Sequence, residues 1–210
     1  MAALCPVAGR TWPNLLSMEA VRGAETYKFG EDFPNRAPLH NVHLVFTRNV
    51  VGSMDYTPVT FSNAQYPHVT TNAHELALSV AFETGIVHFA DRIAAYQELP
   101  KECKTFLREV PAVWHETKLL AGAPDASALI ARKFKDNWYV AYLNGKEEAK
   151  PTEVNFSFLS EGTYTIRWIK DGTNGKTFSF QTGTVTKDST ETVNALPYGG
   201  FVAVISPTVP

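Results

Sequence analysis

The chain is 210 residues long, with 44% hydrophobic residues, 19% charged residues and a formal net charge of −2. That length and composition suit one large or two small globular domains with a buried core, and the near-neutral charge removes the basic footprint that a nucleic-acid partner demands. No apolar run approaches the length of a membrane span, and the two cysteines, Cys5 and Cys103, lie far apart without metal spacing and read as free thiols.

In chain order, residues 1–10 contain no Asp or Glu and read as irregular lead-in. They lack the basic and apolar regions of a secretory signal. Residues 11–25, TWPNLLSMEAVRGAE, begin with an apolar run that predicts a short strand and then carry Glu19 and Glu25 around an Arg22-Gly23 turn. An offset of six is even, so in an extended segment both carboxylates would share a face. Taken alone, the pair also reads as two solvated surface acids, and Arg22 as their ion-pair partner. Residues 27–38, with Gly30, Pro34, Asn35 and Pro38, read as loop. Leu39–Asn49 carries a helical apolar face, GSMDYTP (52–58) a very short strand with Asp55 at its exit, and Thr71–Phe89 the clearest helix. Thr70-Thr71-Asn72 supplies that helix with an N-cap, and Gly85 interrupts it. A further helix is predicted over Lys101–Glu109.

From about Trp114 the texture changes to short β-branched or aromatic runs cut by turns, the pattern of an antiparallel sandwich. In Thr163–Lys170, Tyr164, Ile166 and Trp168 alternate with Thr163, Thr165 and Arg167. Trp138 and Tyr139 read as sandwich core. His40, His43, His68, His74, His88 and His115 form no HExxH or comparable spacing. His40 and His43 follow a loop and are the ones placed to face a pocket.

Three blocks, TWPNLLSMEAVRGAE, FTRNVVGSMDYTPVTF (46–61) and TTNAHELALSVAFETG (70–85), in that order, closely resemble glycoside hydrolase family 97. The resemblance covers nearly the whole chain but only the C-terminal part of the family's usual length. It implies the closing segments of a catalytic (β/α)8 TIM barrel over residues 1–100, followed by an antiparallel β-sandwich over residues 101–210. It further implies hydrolysis of α-linked glucosides or galactosides, dependent on calcium, in the periplasm or outside the cell.

Carried over residue by residue, Glu25, the last residue of RGAE, is the general acid. Glu19, with Glu25 beside it, falls among the calcium ligands. Asp55 and His40 are the substrate-binding candidates, although Asp55 also suits an Asx turn. Glycoside hydrolysis needs a second carboxylate as base or nucleophile, and calcium wants several oxygen ligands. By resemblance those partners lie outside this sequence, so the chain alone is expected to be inactive, and retention or inversion stays open. The alternatives are a non-catalytic β-sandwich module that binds carbohydrate or oligomerises, and self-association through exposed barrel faces.

Overall fold

The computed structural model describes residues 11–63 and 65–208; Cys5 lies outside them. Helices precede strands, in the order α1 (Phe33–Phe46), α2 (Arg48–Val51), α3 (Asn72–Ala81), α4 (Ile93–Glu98), α5 (Lys101–Glu109), then β1 (Glu116–Ala123), β2 (Ser127–Phe134), β3 (Asn137–Asn144), β4 (Lys150–Asn155), β5 (Tyr164–Asp171), β6 (Phe178–Val185), β7 (Thr190–Ala195) and β8 (Gly200–Pro207). A 3-10 turn at Ala24–Lys28 leads into α1.

Six strands form one antiparallel sheet in the order β1-β2-β3-β8-β5-β6, and β4 pairs with β7 in a second. The period of two along each strand sends alternate side chains to opposite faces. Trp138, Val140 and Tyr142 of β3 enter the core shared with Val154, Val193 and Ala195 of the small sheet, joined there by Tyr164, Ile166 and Trp168 of β5. Tyr139, Ala141 and Leu143 point the other way, into a core shared with the helices. The alternation read in β5 therefore holds. Trp138 is sandwich core, whereas Tyr139 packs under the helical layer against Trp114. The result is three layers: helices, large sheet, small sheet.

All of α3 is buried, because it lies between the other helices and the large sheet. A helix covered all round is apolar all round, and α3 departs from that at Asn72, His74, Glu75 and Ser79, whose side chains each have a hydrogen-bond partner. Thr71 caps it, accepting from the His74 backbone N–H at 3.0 Å. The predicted extension to Phe89 does not form: Phe82 turns extended. Arg132 donates to the Ala81 carbonyl at 2.8 Å, and Glu83 N–H donates to Asn49 Oδ1 at 2.8 Å, so tertiary bonds replace the next helical turn.

Further expectations are corrected. Residues 27–38 are not loop: α1 starts at Phe33, with Pro34 in its first turn, where a missing N–H costs nothing, and Pro38 is absorbed inside. The two short strands shrink to one parallel bridge, Met18 to Met54. Glu25 falls in the 3-10 turn rather than an extended segment, so the even spacing from Glu19 does not place them on a common face. Cys103 and Phe106 of α5 join residues 24–99 in the helical core.

Candidate active site

Residues 18–25 and 53–57 run side by side. Beyond the Met18–Met54 bridge, Asp55 N–H donates to Met18 O at 3.1 Å and Ala24 N–H to Tyr56 O at 3.1 Å. Arg48, 7% exposed at the start of α2, fastens the pair. Its Nη2 reaches Met18 O at 2.7 Å, Ser53 O at 3.0 Å and Glu19 O at 3.2 Å, and its Nη1 reaches Gly52 O at 2.8 Å. A planar fork of fixed donors suits that ring of carbonyls as an ammonium would not.

Glu25 is half-buried at the end of this pair. Its Oε1 accepts from Gly23 N–H at 3.2 Å, and its Oε2 contacts the Thr57 hydroxyl. Gly23 is buried so closely that a Cβ would collide with the Tyr56 carbonyl oxygen and with Glu25 Oε2. Thr57 Oγ1 also lies 2.6 Å from Tyr56 O. A hydroxyl has one proton to donate. Facing an ionised Glu25 it donates to the carboxylate; facing a protonated Glu25 it accepts the carboxyl O–H hydrogen bond and donates to Tyr56 O. The Thr57 hydroxyl can therefore serve as either donor or acceptor to Glu25. Thr57 and Val59 hold φ of 53° and 74°, a region β-branched residues rarely adopt, and such backbone strain gathers at functional sites.

The other candidates take distinct places. Glu19 presents an exposed side chain, and its carbonyl accepts from Arg48. Asp55 is partly exposed and lies 3.4 Å from His88 Nδ1. His40 Nε2 is 3.0 Å from Arg22 O, an acceptor, so that nitrogen carries the proton; burial lowers the pKa of the ring. His40 and His43 line a cleft of about 510 Å³ with Arg22, Phe33 and Arg36. The structure thus brings Glu25, Asp55 and His40 onto three mutually bonded segments, with Glu19 at their exposed end. Among the described residues no group of three or more His, Cys, Asp or Glu is placed to hold a metal ion.

Behind the site runs a buried relay that sequence reasoning missed. Tyr56 OH donates to Asn41 Oδ1 at 2.6 Å, Asn41 Nδ2 donates to His74 Nε2 at 3.1 Å, and His74 Nδ1 donates to Gly199 O at 3.2 Å in the turn before β8. Glu75, fully buried, accepts from Thr70 Oγ1 at 2.5 Å and Tyr27 OH at 3.3 Å. Burial first, and the Glu75 charge second, hold the Tyr27 and Tyr56 hydroxyls well above the usual phenol range, so both remain donors. In sequence, His74 and Glu75 look like ordinary residues of a capped helix. Arg48 had no signal beyond lying within a matched block.

Residues 113–206 match the family model described as "Glycosyl-hydrolase 97 C-terminal, oligomerisation". A probable retaining alpha-galactosidase of Streptomyces bingchenggensis is 36% identical over 195 residues, covering 93% of this chain and 29% of the relative. The retaining alpha-galactosidase of Bacteroides thetaiotaomicron is 32% identical over 210 residues, covering 93% and 31%. A glycoside hydrolase family 97 enzyme from Pseudoalteromonas sp. strain K8, solved with acarbose, superposes with a TM-score of 0.87 at 28% identity, over 96% of this chain and 33% of that one. The chain spans roughly a third of the length of these relatives. The sheet-rich half of this protein, residues 113–206, is therefore a glycoside hydrolase family 97 C-terminal domain.

Proposed function

We propose that this chain is the C-terminal portion of a retaining α-galactosidase-type enzyme, and that Glu25 is the proton donor to the departing glycosidic oxygen. The observation that carries this reading is the Glu25–Thr57 contact on a locked segment pair, which serves both protonation states. Residues 11–100 are read as closing segments of a (β/α)8 barrel. The Met18–Met54 parallel bridge suits two adjacent barrel strands, and the exposed Trp12, Leu15, Leu16 and Ile86 suit a face covered by earlier segments.

Asp55 and His40 border the acid and are assigned to substrate contact. Glu19 is assigned as one ligand of a calcium ion held mainly by residues outside this chain. The described residues do not fit a complete site, because both Glu25 oxygens have protein partners and no third ligand joins them. No step is derived through the metal. The second carboxylate that hydrolysis requires also comes from outside, so the isolated chain is inactive. An α-glucoside specificity and an exported location remain within the family reading.

The test compares the purified chain with a fusion in which it replaces the matching third of the Bacteroides relative, both assayed on aryl α-galactosides and α-glucosides. Activity confined to the fusion supports the proposal; brisk turnover by the chain alone overturns its incompleteness. A second reading, favoured by the matched domain's description, is that the sheet domain pairs copies of the protein. Light scattering that shows only monomer argues against it.

A further inference from the structure

A cleft of about 640 Å³ opens between α4 and the β5–β6 turn, at the junction of helices and sheet. Phe61, Leu99 and Phe178 give it apolar walls, and Arg92, Lys176 and Glu98 line it. Its volume suits a monosaccharide-sized or larger ligand.

Lys176 is held in place before any ligand arrives. Asn72 Nδ2 donates to Lys176 O at 2.9 Å, Asn72 N–H donates to Gly175 O at 2.7 Å, and Lys176 N–H donates to Asn174 Oδ1 at 2.9 Å. Its Nζ lies 3.2 Å from His68 Nε2. The tautomer of His68 follows from its other nitrogen: Nδ1 is 3.0 Å from the Thr70 carbonyl, which only accepts, so Nδ1 carries the proton and Nε2 receives from Lys176. The ammonium therefore meets a neutral partner and keeps two further donors.

Neither Lys176 nor Arg92 forms an ion pair among the described residues. Asp91, the acid beside Arg92, is committed elsewhere. Its carboxylate accepts from Phe61 N–H at 2.7 Å, Ser62 N–H at 2.8 Å and Arg92 N–H at 2.7 Å, and contacts the Ser62 hydroxyl. Lys176 and Arg92 present two cationic groups to the cleft, with Glu98 on its wall and Asp91 and Glu75 behind it. Next to apolar walls, such charge favours a bound anion more than it would in open water.

We propose that this cleft is a binding site for a small anionic sugar, its carboxylate or phosphate held by Lys176 and Arg92 and its ring set against Phe178. The site is separate from the Glu25 segment and does not depend on the hydrolytic reading.

The test is calorimetric titration of the 210-residue chain with galacturonate, inorganic phosphate and galactose at low salt. Saturable binding with unit stoichiometry by galacturonate, at least about tenfold tighter than galactose, is the expected result, with Lys176→Gln weakening it by about tenfold or more. Lys176→Arg retains part of the affinity, and Lys170→Gln, outside the cleft, leaves it unchanged. Binding of phosphate but not galacturonate, lost in Lys176→Gln, supports the anion site and assigns it to phosphorylated ligands. Absence of saturable binding by either anion, or equal affinity in folded Lys176→Gln, overturns the proposal.

Discussion

Replacing Arg48 by methionine removes the fork that ties Met18, Glu19, Gly52 and Ser53 together. Two of its contacts, at 2.7 and 2.8 Å, have the length of well-formed charge-assisted bonds. Each such bond contributes about 1.5–3 kcal/mol net, so Arg48→Met should cost about 3–5 kcal/mol after allowing for the packing the methionine regains. For a domain of this size that corresponds to a melting point lower by roughly 6–20 °C. Arg48→Lys keeps the charge but not the planar fork and should lie between wild type and Arg48→Met. Denaturant unfolding followed by circular dichroism gives the free energies directly. A loss below about 1 kcal/mol for Arg48→Met, or equal losses for the two variants, would refute the idea that carbonyl gathering by Arg48 fastens the acid-bearing segment.

Further predictions concern the same framework. Gly23→Ala forces a Cβ against the Tyr56 carbonyl and should destabilise by about 1–3 kcal/mol in denaturant unfolding. Burial first lowers the His74 pKa to about 4, despite the opposing bond to Gly199. Because its folded pKa lies below the unfolded value near 6.5, the stability that neutral His74 contributes is present above pH 6.5 and lost as pH falls towards 4, up to roughly 3 kcal/mol. Unfolding free energies measured across that window should fall, and His74→Gln should flatten the slope. Leu76→Ala, at a fully buried position in α3, should cost about 2–5 kcal/mol by the same unfolding assay.

Much of the sheet domain was legible because its strands obey a period of two: the β5 alternation sends Tyr164, Ile166 and Trp168 into the core between the sheets, whereas nothing in the β3 pattern says that Tyr139 faces a second core under the helices. The α5 helix, flanked by Pro100, was found with its observed bounds. Phe33–Pro38 was misread since proline breaks a helix only where the lost N–H mattered, and Pro34 sits where it did not. The end of α3 was misplaced because Phe82–Phe89 keeps helical periodicity, while bonds to Asn49 and Arg132, distant in sequence, decide its conformation. Glu25 was nominated through its RGAE setting, but its contact with Thr57 depends on two segments 32 residues apart coming together. Local pattern carries no trace of that, nor of the relay from Tyr56 to Gly199.

The most direct measurement compares Glu25→Gln with the unmutated fusion on α-galactosides of graded leaving-group acidity. A proton donor matters most when the departing oxygen is a poor leaving group. Turnover of unactivated α-galactosides should fall by roughly 10²–10⁴-fold, while activated aryl glycosides lose far less. An equal loss on every substrate, or none on any, would contradict the assignment of Glu25.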